Sequence, residues 1–173
     1  PGTKWVYKTS ETNLVGVLVA DATGRKLADY LSEKIWRPYG MQRDAEWMID
    51  DVGDEQGGCC LGMTLRDYAR FGEFILDGAR IDGRPIVPND WLPEATRTQV
   101  SIAPGAGYGY QWWTRDDGTF EARGIYGQTV HIDPARHLVI VINSATKRPT
   151  DRAAGEARQA FIAGVVAEVD AGR

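Results

Sequence analysis

The chain has 173 residues, 43% of them hydrophobic and 25% charged, with a formal net charge of −4; these are the proportions of an ordinary folded domain and argue against long disordered or low-complexity stretches. Its 20 basic residues are interspersed with 24 acidic ones, so no basic stripe offers a footprint for nucleic acid, and no nucleic-acid partner is expected. No apolar run approaches the roughly 20 residues of a membrane span, and the first residues lack a signal-peptide pattern, so no membrane partner is expected either.

In chain order, Tyr7 stands just ahead of an apolar stretch. Residues 12–23 carry Leu14, Val15, Val17, Leu18, Val19 and Ala22, too broad a set for a one-sided surface helix; the pattern predicts a largely buried helix closed by Gly24. Residues 26–36 repeat the helical spacing through Leu27, Tyr30, Leu31 and Ile35, and Pro38 with Gly40 stops them. Trp47, Met48 and Ile49 suggest a short strand, and Gly57-Gly58-Cys59-Cys60-Leu61 a second tight passage of backbone. Adjacent cysteines do not easily reach disulfide geometry. Cys59 and Cys60 are therefore expected as two thiols packed in a core strand, which leans towards a reducing, cytoplasmic compartment. A leader upstream of Pro1 would instead make the protein periplasmic or secreted.

Residues 64–76 predict a helix: Thr64 is an N-cap with Asp67 three positions on, and Tyr68, Phe71, Phe74, Ile75 and Leu76 follow at helical spacing. An Asp82-Gly83 turn lies within 80–87 and a short helix within 88–96. The glycine-rich run Gly105-Ala106-Gly107-Tyr108-Gly109 reads as a flexible lead-in rather than a phosphate loop. Strand-type runs at 107–113, 120–126, 128–132 and 138–143, separated by Asp116-Asp117-Gly118 and Asp133-Pro134, predict an antiparallel meander. The last helix, 153–169, carries an apolar stripe of Ala157, Phe161, Ile162, Val165, Val166 and Val169 that should pack on the meander. The expected fold class is α+β, an antiparallel sheet flanked by helices, in one region spanning residues 1–173.

Several chemistries are weak on residue types alone. Ser144-Ala145-Thr146-Lys147 spells Ser-x-x-Lys, but it follows a strand and precedes Pro149, so no helix puts its two ends on one face. His131 and Asp133 share a strand face, yet two histidines and no glutamate pattern between them make a poor metal set, and no metal or other cofactor is expected. No Gly-x-Ser-x-Gly elbow occurs. Cys59 has no histidine near it in sequence and is a poor nucleophile candidate.

Three blocks carry a resemblance. Pro1-Gly2 precedes the tyrosine motif Tyr7-Lys8-Thr9, followed by the apolar helix, the Gly24 break and a helix end at Pro38-Tyr39-Gly40-Met41. Residues 57–78 run through a glycine pair, the Thr64 cap, Arg66-Asp67, Ala69-Arg70-Phe71-Gly72 and Asp77-Gly78. The third block is Arg123-Gly124-Ile125-Tyr126-Gly127-Gln128. In this order they resemble the serine hydrolases of the class C β-lactamase, penicillin-binding-protein and carboxylesterase superfamily, and within it the 6-aminohexanoate-dimer hydrolases.

The resemblance implies the C-terminal part of a β-lactamase/transpeptidase-like fold and hydrolysis of a small-molecule amide or ester through an acyl-enzyme. Its nucleophilic serine, with a lysine three residues on, sits on a helix before the tyrosine. The expected partner is therefore the N-terminal portion of the same protein, without which this chain is expected to be inactive. Tyr7 would relay the proton. A tyrosine titrates near 10, so such a base needs positive charge beside it, which the lysine supplies. Thr9 stands where the family has Asn or Ser. The N–H of Ile125 would pair with the serine's own N–H around the oxyanion. Gly124 permits close backbone approach, Tyr126, Gly127 and Gln128 would border the acyl or leaving group, and Gly57, Gly58 and Cys59 would form a further wall. The family's Lys-Thr-Gly is absent, which argues against a penicillin-type carboxylate as the preferred substrate, although Arg123 offers a substitute charge. The bland alternatives are a core or rim tyrosine with a satisfied hydroxyl and glycines that merely serve a hairpin. The functional rival is a non-catalytic ligand-binding or interaction module that keeps the fold.

Overall fold

A computed structural model of the chain describes residues 4–172, and its contacts fall into two units, Pro1–Asn89 and Asp90–Arg173. The first unit begins with α1 (Thr9–Thr23), which ends on Gly24 at φ 64°, where the glycine N–H reaches Ala20 O; an L-residue with a side chain adopts that left-handed cap reluctantly. α2 (Leu27–Leu31) passes directly into a π-turn at Ser32–Trp36. Its exposed first-turn N–H groups are met by Glu55, whose carboxylate accepts from Leu27 and Ala28 at 3.3 and 3.2 Å, a placement that also suits the positive end of a helix.

The expected burial of α1 is not what the structure shows. Gly16 is its one buried residue among those described, while Leu14, Val15, Val17 and Leu18 each expose more than half of their surface. The reason is a narrow contact. Gly16 and Gly57 cross with their backbones so close that a Cβ on Gly57 would come within 2.9 Å of the Gly16 Cα. The breadth of the apolar pattern measured the hydrophobicity of the helix, not the area that this chain lays against it.

Two-residue strands β1 (Glu46–Trp47) and β2 (Leu61–Gly62) pair antiparallel. α3 (Leu65–Leu76) bears out the capping-box expectation. Thr64 Oγ1 accepts from the Asp67 N–H at 3.1 Å and donates to the Asp67 carboxylate at 2.7 Å. Asp67 is fully buried, and Oδ1 and Oδ2 also accept from the N–H groups of Gln42 and Arg43 at 2.7 and 3.2 Å. Burial alone would raise its pKa; those bonds and the Arg70 charge overcome it and leave the carboxyl below its ordinary value. β3 (Arg80–Ile81) and β4 (Arg84–Pro85) form the expected hairpin, with Asp82 and Gly83 at φ 49° and 74°, as a two-residue turn of this hand requires.

The second unit opens with α4 (Trp91–Thr96) and continues as a six-stranded antiparallel meander: β5 (Val100–Ala103), β6 (Ala106–Tyr108), β7 (Trp113–Arg115), β8 (Phe120–Arg123), β9 (Thr129–Asp133) and β10 (Leu138–Ile142), each beside the next. All five residues of β9 are buried. Trp112 packs edge-on against Phe120 with ring centroids 5.1 Å apart, and Tyr108 against Trp113 at 5.0 Å.

Two expectations need correction here. The run 107–113 is not one strand but two, reversed at 109–112 with Gln111 at φ 68° and the Gly109 N–H bonded to Trp112 O at 2.8 Å. Nor is the glycine-rich segment a flexible lead-in. Gly107 and Gly109 are buried, and a Cβ on Gly109 would strike the backbone carbonyls of Ala95 and Arg97. These glycines allow close backbone packing rather than motion.

α5 (Arg152–Ala171) starts at Asp151, whose carboxylate accepts from the Ala154 N–H at 3.0 Å. It is tied to the sheet by Arg115, which donates to Gln159 at 2.7 Å, and to the β9–β10 turn by Arg136, which meets Asp170 at 2.9 Å. Of the predicted stripe only Ile162 is buried, and Phe161 stays 55% exposed. The helix is held as much by polar ties at its edges as by apolar contact.

Candidate active site

The expected site residues lie in both units. In the first, Tyr7 is 52% exposed two residues before α1, with its ring centroid 6.4 Å from that of Trp5. Thr9 is the first residue of α1, and its carbonyl and methyl group face Gly58, where a Cβ would come within 2.8 Å of either. Asn13, one turn on, accepts the Gly58 N–H at 2.6 Å. The structure thus brings Thr9 and Gly58 together through Asn13. Sequence reasoning missed Asn13; its only signal was a short amide side chain one turn beyond Thr9.

Cys59 and Cys60 overturn the expectation of two core thiols. Both are exposed, and they are bonded to each other as a disulfide. The geometry becomes accessible because Cys60 takes φ 72°, a left-handed conformation that an L-residue rarely adopts. The inference of a reducing compartment loses its basis with the thiols.

In the second unit, residues 124–128 form the turn between β8 and β9. The Gly124 N–H donates to Gln128 O at 2.8 Å and the Gly127 N–H to Gly124 O at 3.1 Å, while the Tyr126 N–H donates to the Gln128 side-chain Oε1 at 3.2 Å. Gly127 sits at φ 93°, which a residue with a side chain would resist. The outer carbonyls are held too: Ile125 O accepts from Thr150 N–H at 2.9 Å and Tyr126 O from Thr146 N–H at 3.1 Å. The amides of Gly124, Tyr126 and Gly127 are thereby engaged, whereas those of Ile125 and Gln128 have no acceptor among the described residues. Ile125 itself is 60% exposed and Tyr126 43%. The Gln128 side chain, expected to border a ligand, braces the turn from within.

Beneath the turn lies a charged cluster that sequence reasoning did not find. Glu121, fully buried, stands directly across from His131. Its Oε1 accepts from His131 Nδ1 at 2.9 Å, and its Oε2 from Arg123 Nε at 2.6 Å, with Arg115 4.0 Å away. Burial pushes the Glu121 carboxyl up, but the His131 bond and the Arg123 and Arg115 charges outweigh it, bringing its pKa to about 2. An ionised carboxylate only accepts, so His131 carries its proton on Nδ1; its Nε2 is buried without a partner among the described residues. Arg123 also lies 5.2 Å from the Trp113 ring centroid. The period-two pair Glu121 and Arg123 was the available signal, but their partner on β9 depends on register, which tertiary pairing sets.

The remaining candidates fall away on geometry. Asp133 is held by Arg136, with bonds of 3.1 Å to its N–H and 2.9 Å to its guanidinium. Ser144 through Lys147 are not helical, as expected; Ser144 instead packs against Gly127. Among the described residues, no group of three or more His, Cys, Asp or Glu is placed to hold a metal ion, and no helix is long and apolar enough to cross a membrane.

Known proteins share the sequence pattern and the fold of this chain. A 6-aminohexanoate-dimer hydrolase of Paenarthrobacter ureafaciens is 29% identical over 158 residues, which is 84% of this chain and 40% of that protein. A structure from Bacillus anthracis assigned as a 6-aminohexanoate-dimer hydrolase is 32% identical, with a TM-score of 0.84, and covers 97% of this chain and 46% of its own. A β-lactamase structure from Mycobacterium bovis, 22% identical with a TM-score of 0.76 over 98% of this chain and 66% of that one, shares the fold. The chain therefore spans less than half the length of the two hydrolases it matches. The pattern of the β-lactamase family runs from residue 1 to residue 164, through the Tyr7 segment and the Gly124–Gln128 turn alike, and this chain belongs to that family.

Proposed function

We propose that this chain supplies the proton-relay tyrosine and one oxyanion donor of a serine hydrolase that cleaves a linear amide, such as an aminohexanoate oligomer, or a small ester. The observation that carries the reading is the Ile125 N–H: at the tip of an internally bonded turn it has no acceptor among the described residues, on a residue that is 60% exposed. A fixed N–H of this kind suits a charge that develops only during reaction, because nothing has to reorganise to receive it.

In this mechanism a serine hydroxyl, from polypeptide outside these 173 residues, attacks the substrate carbonyl. Its proton passes through the neighbouring lysine and Tyr7 to the leaving amine or alcohol. The negative charge on the carbonyl oxygen is met by the Ile125 N–H, the C–N or C–O bond breaks, and water then releases the acyl group by the reverse relay. The second reading, a module that keeps the fold and binds such ligands without turning them over, is separated from the first by the same test.

The test compares the 173-residue chain with the same chain extended upstream through a Ser-x-x-Lys helix, using a nitrophenyl ester and the 6-aminohexanoate dimer. The expected result is no turnover by the chain alone and turnover by the extended form. In the extended form, Tyr7→Phe is expected to lower kcat by about 100-fold or more, and Ile125→Pro, which deletes the N–H, by a similar factor. Turnover by the 173-residue chain alone, or full activity of Tyr7→Phe, sinks the proposal; binding without turnover in the extended form selects the second reading.

A further inference from the structure

We infer that Cys59 and Cys60 form a reversible thiol–disulfide modification site whose state sets how the 57–60 loop is held against the first turns of α1. The inference is separate from the hydrolase reading, since its test uses no substrate and reads only thiols, amide exchange and tryptophan emission.

Three observations carry it. First, both cysteines are exposed and bonded to each other, so an external thiolate can reach the sulfur it must attack. Second, each state has something to hold it. In the oxidised state the ring keeps Cys60 at φ 72°, a conformation that opening the ring leaves to a residue with little preference for it. In the reduced state the thiols gain an acceptor, because Gln56 Oε1 lies 3.4 Å from the Cys59 sulfur and 3.9 Å from the Cys60 sulfur; a disulfide has no S–H to offer it, whereas a dithiol has two. Third, the loop is wired to its surroundings on both sides of the pair. Gly58 N–H donates to Asn13 of α1 at 2.6 Å, Gly57 crosses Gly16 backbone to backbone, Trp47 Nε1 donates to Cys59 O at 3.2 Å, and Met48 N–H to Cys60 O at 3.0 Å. Relaxation of Cys60 out of the left-handed region rotates the chain between these anchors, and the Gly58 bond to Asn13 is the one that ties the loop to α1.

The reaction balances as two-electron thiol–disulfide exchange with a dithiol donor. One donor thiolate attacks a sulfur of the pair, the Cys59–Cys60 bond breaks, and a mixed disulfide forms. The second donor thiol resolves it, leaving two protein thiols and an oxidised donor.

The test uses the intact 173-residue chain, treated in parallel with oxidised and with reduced dithiothreitol and then freed of reagent. The expected result is no titratable thiol in the first sample and two in the second, several-fold faster exchange of the Gly58 amide on reduction, and a changed Trp47 emission isolated by a Trp47→Phe control. All three should return on reoxidation, with α3 amides unaffected throughout. Cys59→Ser should be blind to reductant. Cys60→Gly, which reaches the left-handed region without the ring, should keep Gly58 slow in either reagent. Two thiols remaining after oxidised dithiothreitol overturn the inference, as do equal Gly58 exchange in both states, loss of α3 protection on reduction, or fast Gly58 exchange in Cys60→Gly.

Discussion

The two units hold the groups proposed for catalysis in different ways. In Asp90–Arg173 the Ile125 amide rides on a turn of a sheet whose β9 is wholly buried and whose β8 and β9 are joined by the buried Glu121 with His131. In Pro1–Asn89 the Tyr7 segment precedes a helix that meets its neighbours at a glycine crossing and an Asn13 bond, with several apolar residues open to solvent. A hydrogen-bond donor must be fixed before charge appears, and a sheet turn provides that. The first unit is joined by caps, close glycine crossings and side-chain to backbone bonds rather than by an extended sheet, so it should be perturbed by changes that a sheet would absorb.

The largest effect should come from breaking the support of the second unit. Glu121→Ala leaves His131 and Arg123 without their buried counter-charge and is expected to cost about 3 kcal/mol in urea unfolding. The pH dependence follows from the same carboxyl. Its folded pKa is lowered from 4.5 to about 2, so the stability it contributes is complete above its ordinary value and is lost as pH falls from 4.5 towards 2. Urea midpoints measured across that window should fall for the wild type and less steeply for Glu121→Gln.

Next is the glycine crossing of the first unit. Gly57→Ala puts a methyl group against the Gly16 backbone and should cost about 2 kcal/mol, with hydrogen exchange rising in α1 but not in β9; an equal rise in both would erase the contrast between the units. Thr64→Ala removes the α3 cap and one bond to the buried Asp67 and should lower stability by about 1 kcal/mol. The smallest effect is expected at Arg152, whose pair with Glu156 is exposed on both sides. Arg152→Ala should lower the free energy of urea unfolding by no more than about 0.5 kcal/mol, and a larger loss would show that this pair stabilises α5 more than exposed pairs usually do.

Local rules decided much of this protein in advance. The Thr64–Asp67 box, the Gly24 cap, the Asp82-Gly83 turn and the meander were legible because each is settled by a few neighbouring residues, whose hydrogen bonds and allowed φ values do not wait for distant partners. The family likewise showed in the order of three separated blocks. What the sequence alone did not settle was whatever depended on a partner far along the chain. The coverage of α1 depended on how much surface meets it, and the bond of Asn13 to Gly58 spans 45 positions. The Glu121–His131 pair needed the β8–β9 register. The disulfide needed a backbone conformation at Cys60 that its residue type disfavours. Only the folded chain fixes these, because contact between remote residues is set by packing and strand pairing rather than by the preferences of any one segment.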